Sequence, residues 1–205
     1  VSTGARAALL PLRVTWAVER QGAKLALTET MDQAGRVFSE FDLGAAGKIR
    51  TWIDAGRVWR QLPGGAPMEL QGPERGEQID GSLIGTMSDW QREYREIVVI
   101  ARETFEGRGV LRVRMVTPDG FASTKLVDLE TGTVVADYAL AMVPGAGAQP
   151  VEKRHADFRE MAGVLLPQAR TTAFAAAPGA KMQATVTKLE PRAAVDATVF
   201  RVPGK

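Results

Sequence analysis

LRVTWAVERQGAKLALTETM, residues 12–31, alternates apolar and polar side chains on either side of a short turn. Successive side chains of a strand point to opposite faces, so Leu12, Val14, Trp16 and Val18 share one side of an extended chain. After the RQGAK turn, Leu25, Leu27 and Met31 repeat the pattern, with Glu29 the exception on that face. Two antiparallel strands joined by a glycine-bearing hairpin satisfy both halves of the stretch.

The same rhythm runs on downstream. Val37, Phe41 and Leu43 follow DQAG, Ile49 and Ile53 follow GAAGK, and RVWRQLP follows DAG, which reads as a meander. The pattern changes in PERGEQIDGSLIGTMSDWQRE, residues 73–93. There Ile79, Leu83, Met87 and Trp90 are spaced four, four and three apart, and Ile84 widens the stripe. That spacing predicts one helix with a single apolar side. Gly81 and Gly85 each weaken it by about 1 kcal/mol relative to Ala, so it is expected to depend on packing against a sheet.

Strands resume in EIVVIARETF, VLRVRMV, FASTKLVDL and TVVADYALAM, separated by turns rich in Gly, Pro and Asp. VPGAGAQPV, from Val143 to Val151, reads as a mobile loop near 144–150 inside a single domain covering 1–205. The remainder supplies three more strands. The fold class expected is mainly β with few helices (α+β). About eleven strands form a curved antiparallel sheet, an open half-barrel packed around one or two helices.

Composition narrows the function classes. Lys and Arg number 26 against 24 Asp and Glu, a formal charge of +2, which is no basic stripe for gripping phosphates. Nucleic acid is therefore not an expected partner. The absence of cysteine removes disulfides, thiolate nucleophiles and cysteine-bearing zinc sites. No run reaches the roughly 18 apolar residues of a membrane-spanning helix, so no integral membrane segment is expected. A chain that starts at Val1 rather than Met is expected to have lost a leader or an upstream domain.

Several residues invite a chemical role and have a plainer reading. His155 has no second His and no Cys to complete a triad or a tetrahedral metal site, and among the charges of EKRHADFRE it reads as solvent-facing. Trp52 and Trp59 stand on facing arms of TWIDAGRVW, with Arg50, Asp54 and Arg57 on the same side. That face reads as solvated, and exposed tryptophans on it would mark a contact surface. Arg108, Arg112 and Arg114, with Arg60 near, suggest an anionic-headgroup patch, but the alternation makes them an ordinary solvated face. GRG around Gly109 and GAAGK at Gly44–Lys48 lack the following helix start that a phosphate loop needs.

Three motifs in the second half carry a family resemblance. They are an Asp-x-x-Thr-Gly hairpin at Asp128, Thr131 and Gly132, and DFREMAGVLLP from Asp157 to Pro167, with Phe158, Arg159, Gly163, Val164 and Leu166 in place. The third is a closing Asp-x-x-x-Phe-x-x-Pro at Asp196, Phe200 and Pro203. In this order they resemble the tail of the LolA-like outer-membrane lipoprotein carriers. The resemblance covers residues 94–203, and the first half shares only strand rhythm and the TWIDAGRVWRQ hairpin. It implies a half-barrel with an apolar interior, a lipid or an acylated lipoprotein as ligand, an envelope protein as partner, and a periplasmic or otherwise extracytoplasmic location. It assigns no functional residue.

The expected function is therefore non-enzymatic binding or carriage of an apolar ligand, with no catalytic residue, no metal and no cofactor. The inward faces expected to meet that ligand carry Leu12, Val14 and Trp16 on the first strand, Leu25 and Leu27 on the second, and Val37 and Phe41 on the third. Ile79, Leu83, Met87 and Trp90 complete the set from the helix. The alternative is a structural or protein-interaction accessory domain whose helix fills the concavity.

Overall fold

A computed structural model of the chain describes residues 3–83, 90–143, 147–175 and 177–204. A short helix α1 (Thr3–Leu9) precedes six strands: β1 (Leu12–Arg20), β2 (Ala23–Met31), β3 (Val37–Asp42), β4 (Lys48–Asp54), β5 (Arg57–Gln61) and β6 (Met68–Leu70). Helices α2 (Gly72–Gly81) and α3 (Trp90–Glu93) follow. The second half holds β7 (Glu96–Phe105), β8 (Arg108–Val116), β9 (Ala122–Asp128), β10 (Val134–Val143), β11 (Gly147–Ala156), β12 (Arg159–Met161), β13 (Val164–Leu166), β14 (Ala169–Phe174) and β15 (Ala177–Pro191).

Thirteen of these strands form one sheet in the order β6-β5-β4-β3-β2-β1-β15-β14-β11-β10-β9-β8-β7, and β12 and β13 make a separate hairpin. Neighbours are antiparallel throughout, and β6 and β7 remain as two unjoined ends, so the sheet is an open half-barrel. The expected architecture holds, with thirteen strands in the sheet where about eleven were read. Tight turns enforce the hairpins. Gln21-Gly22 and Ala55-Gly56 both place two consecutive residues at positive φ, the backbone whose twist matches that of the flanking strands.

Register puts the alternating apolar residues on one inner face. Leu12 stands opposite Met31, Met31 opposite Val37, Val37 opposite Ile53, Ile53 opposite Val58 and Val58 opposite Leu70. All six are buried and share a core with Ile79 and Leu83. Leu9 and Leu10, at and after the end of α1, and Val164 and Leu166 of β13 pack into the same core. A second cluster joins Tyr94, Val113 and Met115, with Trp90 against it.

Three expectations need correction. The helix over residues 73–93 is interrupted: α2 stops at Ser82, whose extended backbone, with ψ 178°, ends the ladder while its hydroxyl donates to the Ile79 carbonyl at 2.8 Å. Ile79 and Leu83 thus reach one core and Trp90, in α3, reaches another. Ile84 and Met87 lie outside the described residues. Next, Gly147–Pro150 are strand, not loop, with Gly147 opposite Val143 and Pro150 opposite Leu140. Ladder pairing uses the backbone, so small side chains do not prevent it. Residues 144–146 are outside the described set.

Finally, Trp52 and Trp59 are 3% and 7% exposed, not a solvated pair. The 3-10 turn at Ala197–Phe200 crosses this outer face, and the Trp52 indole N–H donates to the Val199 carbonyl at 3.0 Å. The Arg57 guanidinium covers the Trp59 ring at 4.6 Å. Among the described residues, no helix is long and apolar enough to cross a membrane.

Candidate functional site: a cleft between helix α2 and the inner sheet face

Helix α2 lies over the concavity, meeting β5 on one side and β10 on the other. Its seat is tight at Gly76, where an added Cβ would come within 2.4 Å of Thr117 Oγ1 and 2.7 Å of Phe121 Cβ. Its last turn is held by charge. Lys125 Nζ lies 2.9 Å from Asp80 Oδ1, both side chains being out of solvent, and Tyr94 donates its hydroxyl proton to the same carboxylate. Burial opposes the Lys125 charge, but Asp80 and Asp137 outweigh that and push its pKa up. The helix is thereby fixed on the half of the sheet that carries β9 and β10.

Over the other half it leaves a gap. A cleft of about 400 Å³ opens between Glu77, Gln78, Gly81 and Ser82 and the sheet beneath them. Leu27, Phe41 and Ile49 line one stretch of its floor, and Val18, Ala184 and Met182 another. These rows follow from register: Leu27 is opposite Phe41, Phe41 opposite Ile49, and Val18 opposite Ala184. The volume falls in the range of small-molecule pockets, roughly 300–1,000 Å³.

Charged groups are set into this apolar lining. Glu29, 6% exposed, lies opposite Val14 and Ser39, and burial pushes its carboxyl pKa up against the pull of Arg170. Lys153 faces Asp137 across the β10–β11 pair at 3.7 Å. The Arg170 guanidinium carbon stands 5.2 Å from the centre of the Trp16 ring.

His155 is cross-strand to Arg170 on this same inner face. Its side chain is 14% exposed and its Nε2 is 3.1 Å from Asp137 Oδ2, so the solvent-facing reading is overturned. Burial lowers the His155 pKa although Asp137 draws it the other way. Burial would raise Asp137, yet Lys153, His155 and Lys125 together hold its carboxyl well below the usual range.

Of the residues expected to face a ligand, Leu27, Val37 and Phe41 line the cleft. Val14, Trp16 and Leu83 line a crevice of only about 30 Å³ beyond the end of α2, room for about one water. Leu12 is wholly buried, Leu25 is half-buried against the core, Ile79 is core, and Trp90 lies with Tyr94. Ile49 and Lys153 also line the cleft outside the expected set, and Arg170 and Met182 could not be foreseen because β14 and β15 come beside β1 only through tertiary pairing.

Of the arginines read as a solvated face, Arg112 pairs with Glu103 at 2.8 Å, Arg114 with Glu96, and Arg108 lies 3.8 Å from Asp128. Arg60 stands away from them on β5, lining the cleft and paired with Glu74 at 2.8 Å. A second depression, of about 620 Å³, is walled by turn residues such as Glu106, Arg108, Thr131 and Asp157 together with Phe105 and Phe158, and its lining is more polar than that of the cleft.

The motif residues of the second half serve turns and packing. Asp128 Oδ1 accepts from the Glu130 and Thr131 amides, both at 2.9 Å, and the backbone hydrogen bonds hold its pKa down. Asp196 caps the closing 3-10 turn by accepting from Thr198 N at 2.8 Å.

A bent antiparallel sheet with a helix across its hollow is an architecture this chain shares with several solved structures. A LolA superfamily protein from Nitrosomonas europaea superposes with TM-score 0.66 at 11% identity, covering 94% of this chain and 90% of the other. A DUF1329 family protein from Desulfovibrio piger gives 0.62 at 12% identity, covering 96% and 92%. A domain from Vibrio parahaemolyticus, named for outer membrane lipoprotein sorting, gives 0.62 at 12% identity, covering 93% and 88%. No protein-family model matches the sequence, and no curated protein matches it. The chain therefore has the LolA-like fold.

Proposed function

We propose that this chain binds an apolar ligand, a lipid or the acyl chain of a lipoprotein, in the cleft under α2. The observation that carries the reading is the gap of about 400 Å³ lined by Leu27, Phe41, Ile49 and Met182, which the helix spans without filling. Burial of acyl surface there supplies about 25 cal/mol per Å² and needs no reacting group. The likeness of fold to a lipoprotein-sorting domain supports an extracytoplasmic setting and a non-enzymatic carrier role, with an envelope protein as donor or acceptor.

Titration with a fluorescent fatty acid tests the reading. Saturable uptake that weakens on Leu27→Arg is the expected result, and no uptake by the wild-type chain would refute it.

A second reading has its own support at the other end of the hollow. There Val14, Leu166 and Leu189 line the small crevice, and Leu9, Leu12 and Met31 are buried in the same core, as in an accessory domain that binds other proteins by its outer surface. Native mass spectrometry of protein purified from cells separates the two, since a carrier retains lipid and a filled concavity does not.

A further inference from the structure

The cleft is not uniformly greasy, and its charges are unevenly matched. Arg60 has Glu74 at 2.8 Å. Arg170 has no carboxylate within ion-pair distance among the described residues, and its neighbour is the Trp16 ring. Lys153 shares Asp137, at 3.7 Å, with His155 at 3.1 Å, and its Nζ stands 3.7 Å from where a Cβ on Gly81 would lie. The buried Trp16 indole N–H faces Glu29 and favours its charged form without reaching close hydrogen-bond geometry. Glu29 is the nearby acid, and its burial favours the neutral form.

Two cations therefore meet at one end of an apolar channel. Half-buried charge is costly unless paired. A guanidinium offers planar, forked donors suited to a carboxylate or a phosphate.

Resting on the reading of the cleft as an apolar-ligand site, we propose that its ligand is an anionic amphiphile. The tail lies along Leu27, Phe41 and Ile49, and a carboxylate or phosphate head meets Arg170, with Lys153 beside it. Register supports this placement. Arg170 is opposite Ala184, which is opposite Val18, so the head position continues directly into the apolar floor. Lys153 lies two cross-strand pairs along, opposite Thr172, and so on the same face as His155.

The test uses the full chain, stripped of lipid, with the neutral dye N-phenyl-1-naphthylamine as reporter. Dye binding reads the cleft itself. Displacement by palmitate against hexadecanol reads the head. Palmitate is expected to displace at about tenfold lower concentration, the scale of one charge-assisted contact. Arg170→Gln should erase most of that ratio, Arg170→Lys should retain part of it, and Glu29→Gln should enlarge it. Should Arg170→Gln not fold, Lys153→Gln carries the same comparison.

Dodecyl phosphate behaving like palmitate supports the proposal. Inorganic phosphate binding alone, by calorimetry, would reassign the cations to a small free anion and overturn it. Dye that binds but is displaced equally by palmitate and hexadecanol overturns the head assignment and leaves the cleft standing. No dye binding, together with no heat from palmitate or hexadecanol, removes both readings.

Discussion

Lys125 and Asp80 form an ion pair at 2.9 Å with 5% and 1% of their side chains exposed, and this pair joins α2 to β9. Tyr94 and Ser123 bond to the same carboxylate. Removing Asp80 leaves a buried ammonium without this partner and takes the shared acceptor from both hydroxyls. Asp80→Ala is expected to cost about 3–5 kcal/mol, a fall in Tm of about 6–20 °C for a chain of this size. The double change Asp80→Leu with Lys125→Met should cost less than Asp80→Ala, because no unpaired ion remains. Thermal unfolding by circular dichroism checks both, and a double variant worse than the single would contradict the account.

Glu29 gives a pH-dependent signature. Its folded pKa is raised by burial from the ordinary value of 4.5. The unfolded chain therefore releases this proton first as pH rises. Stability from the neutral carboxyl is complete below about 4.5 and is lost as pH climbs through the folded value. Glu29→Gln stays neutral throughout. Its Tm should exceed wild type by about 2–4 °C near pH 8, which corresponds to about 1 kcal/mol. The gap should close near pH 4. A constant offset across pH would show that ionisation is not the cause.

The C-terminal turn acts as a clamp on the outer face. Phe200 is 6% exposed, Arg36 lies 5.0 Å over its ring, and the adjacent Val199 carbonyl accepts from Trp52. Phe200→Ala is expected to cost about 3–5 kcal/mol. It should also shift tryptophan emission to longer wavelength as Trp52 meets water. Destabilisation without that shift would place the loss elsewhere.

The free end of the sheet is an association hazard. Val98, Val99 and Ile100 of β7 are 47%, 57% and 53% exposed, and no described strand pairs with the outer side of β7. Exposed apolar edges recruit other strands. Val99→Lys should slow light-scattering growth on heating while changing stability by less than about 0.5 kcal/mol. An unchanged aggregation rate would show that β7 is not the point of contact.

Much of the sheet is legible in the sequence because its signal is local. Leu12 to Val18 alternate in the chain and alternate in burial, and Gln21-Gly22 turns the hairpin where the pattern breaks. Glu29 stands out in sequence as the acid on an apolar face, and the structure places it there. Asp128, Thr131 and Gly132 spell a turn that the backbone makes.

Tertiary structure alone decided the rest. β1 lies between β2, its hairpin partner, and β15, more than 150 residues away, and that long-range pairing brings Arg170 and Met182 to the cleft. His155 sits among charged residues in the sequence yet is largely shielded from solvent on the inner face, because it lies opposite Arg170 and within reach of Asp137. Trp52 is outward-facing yet covered, because the chain returns over it at Val199. Alternation states which side chains share a face. What that face meets depends on which distant segments pack there, and a periodic pattern carries no address for them.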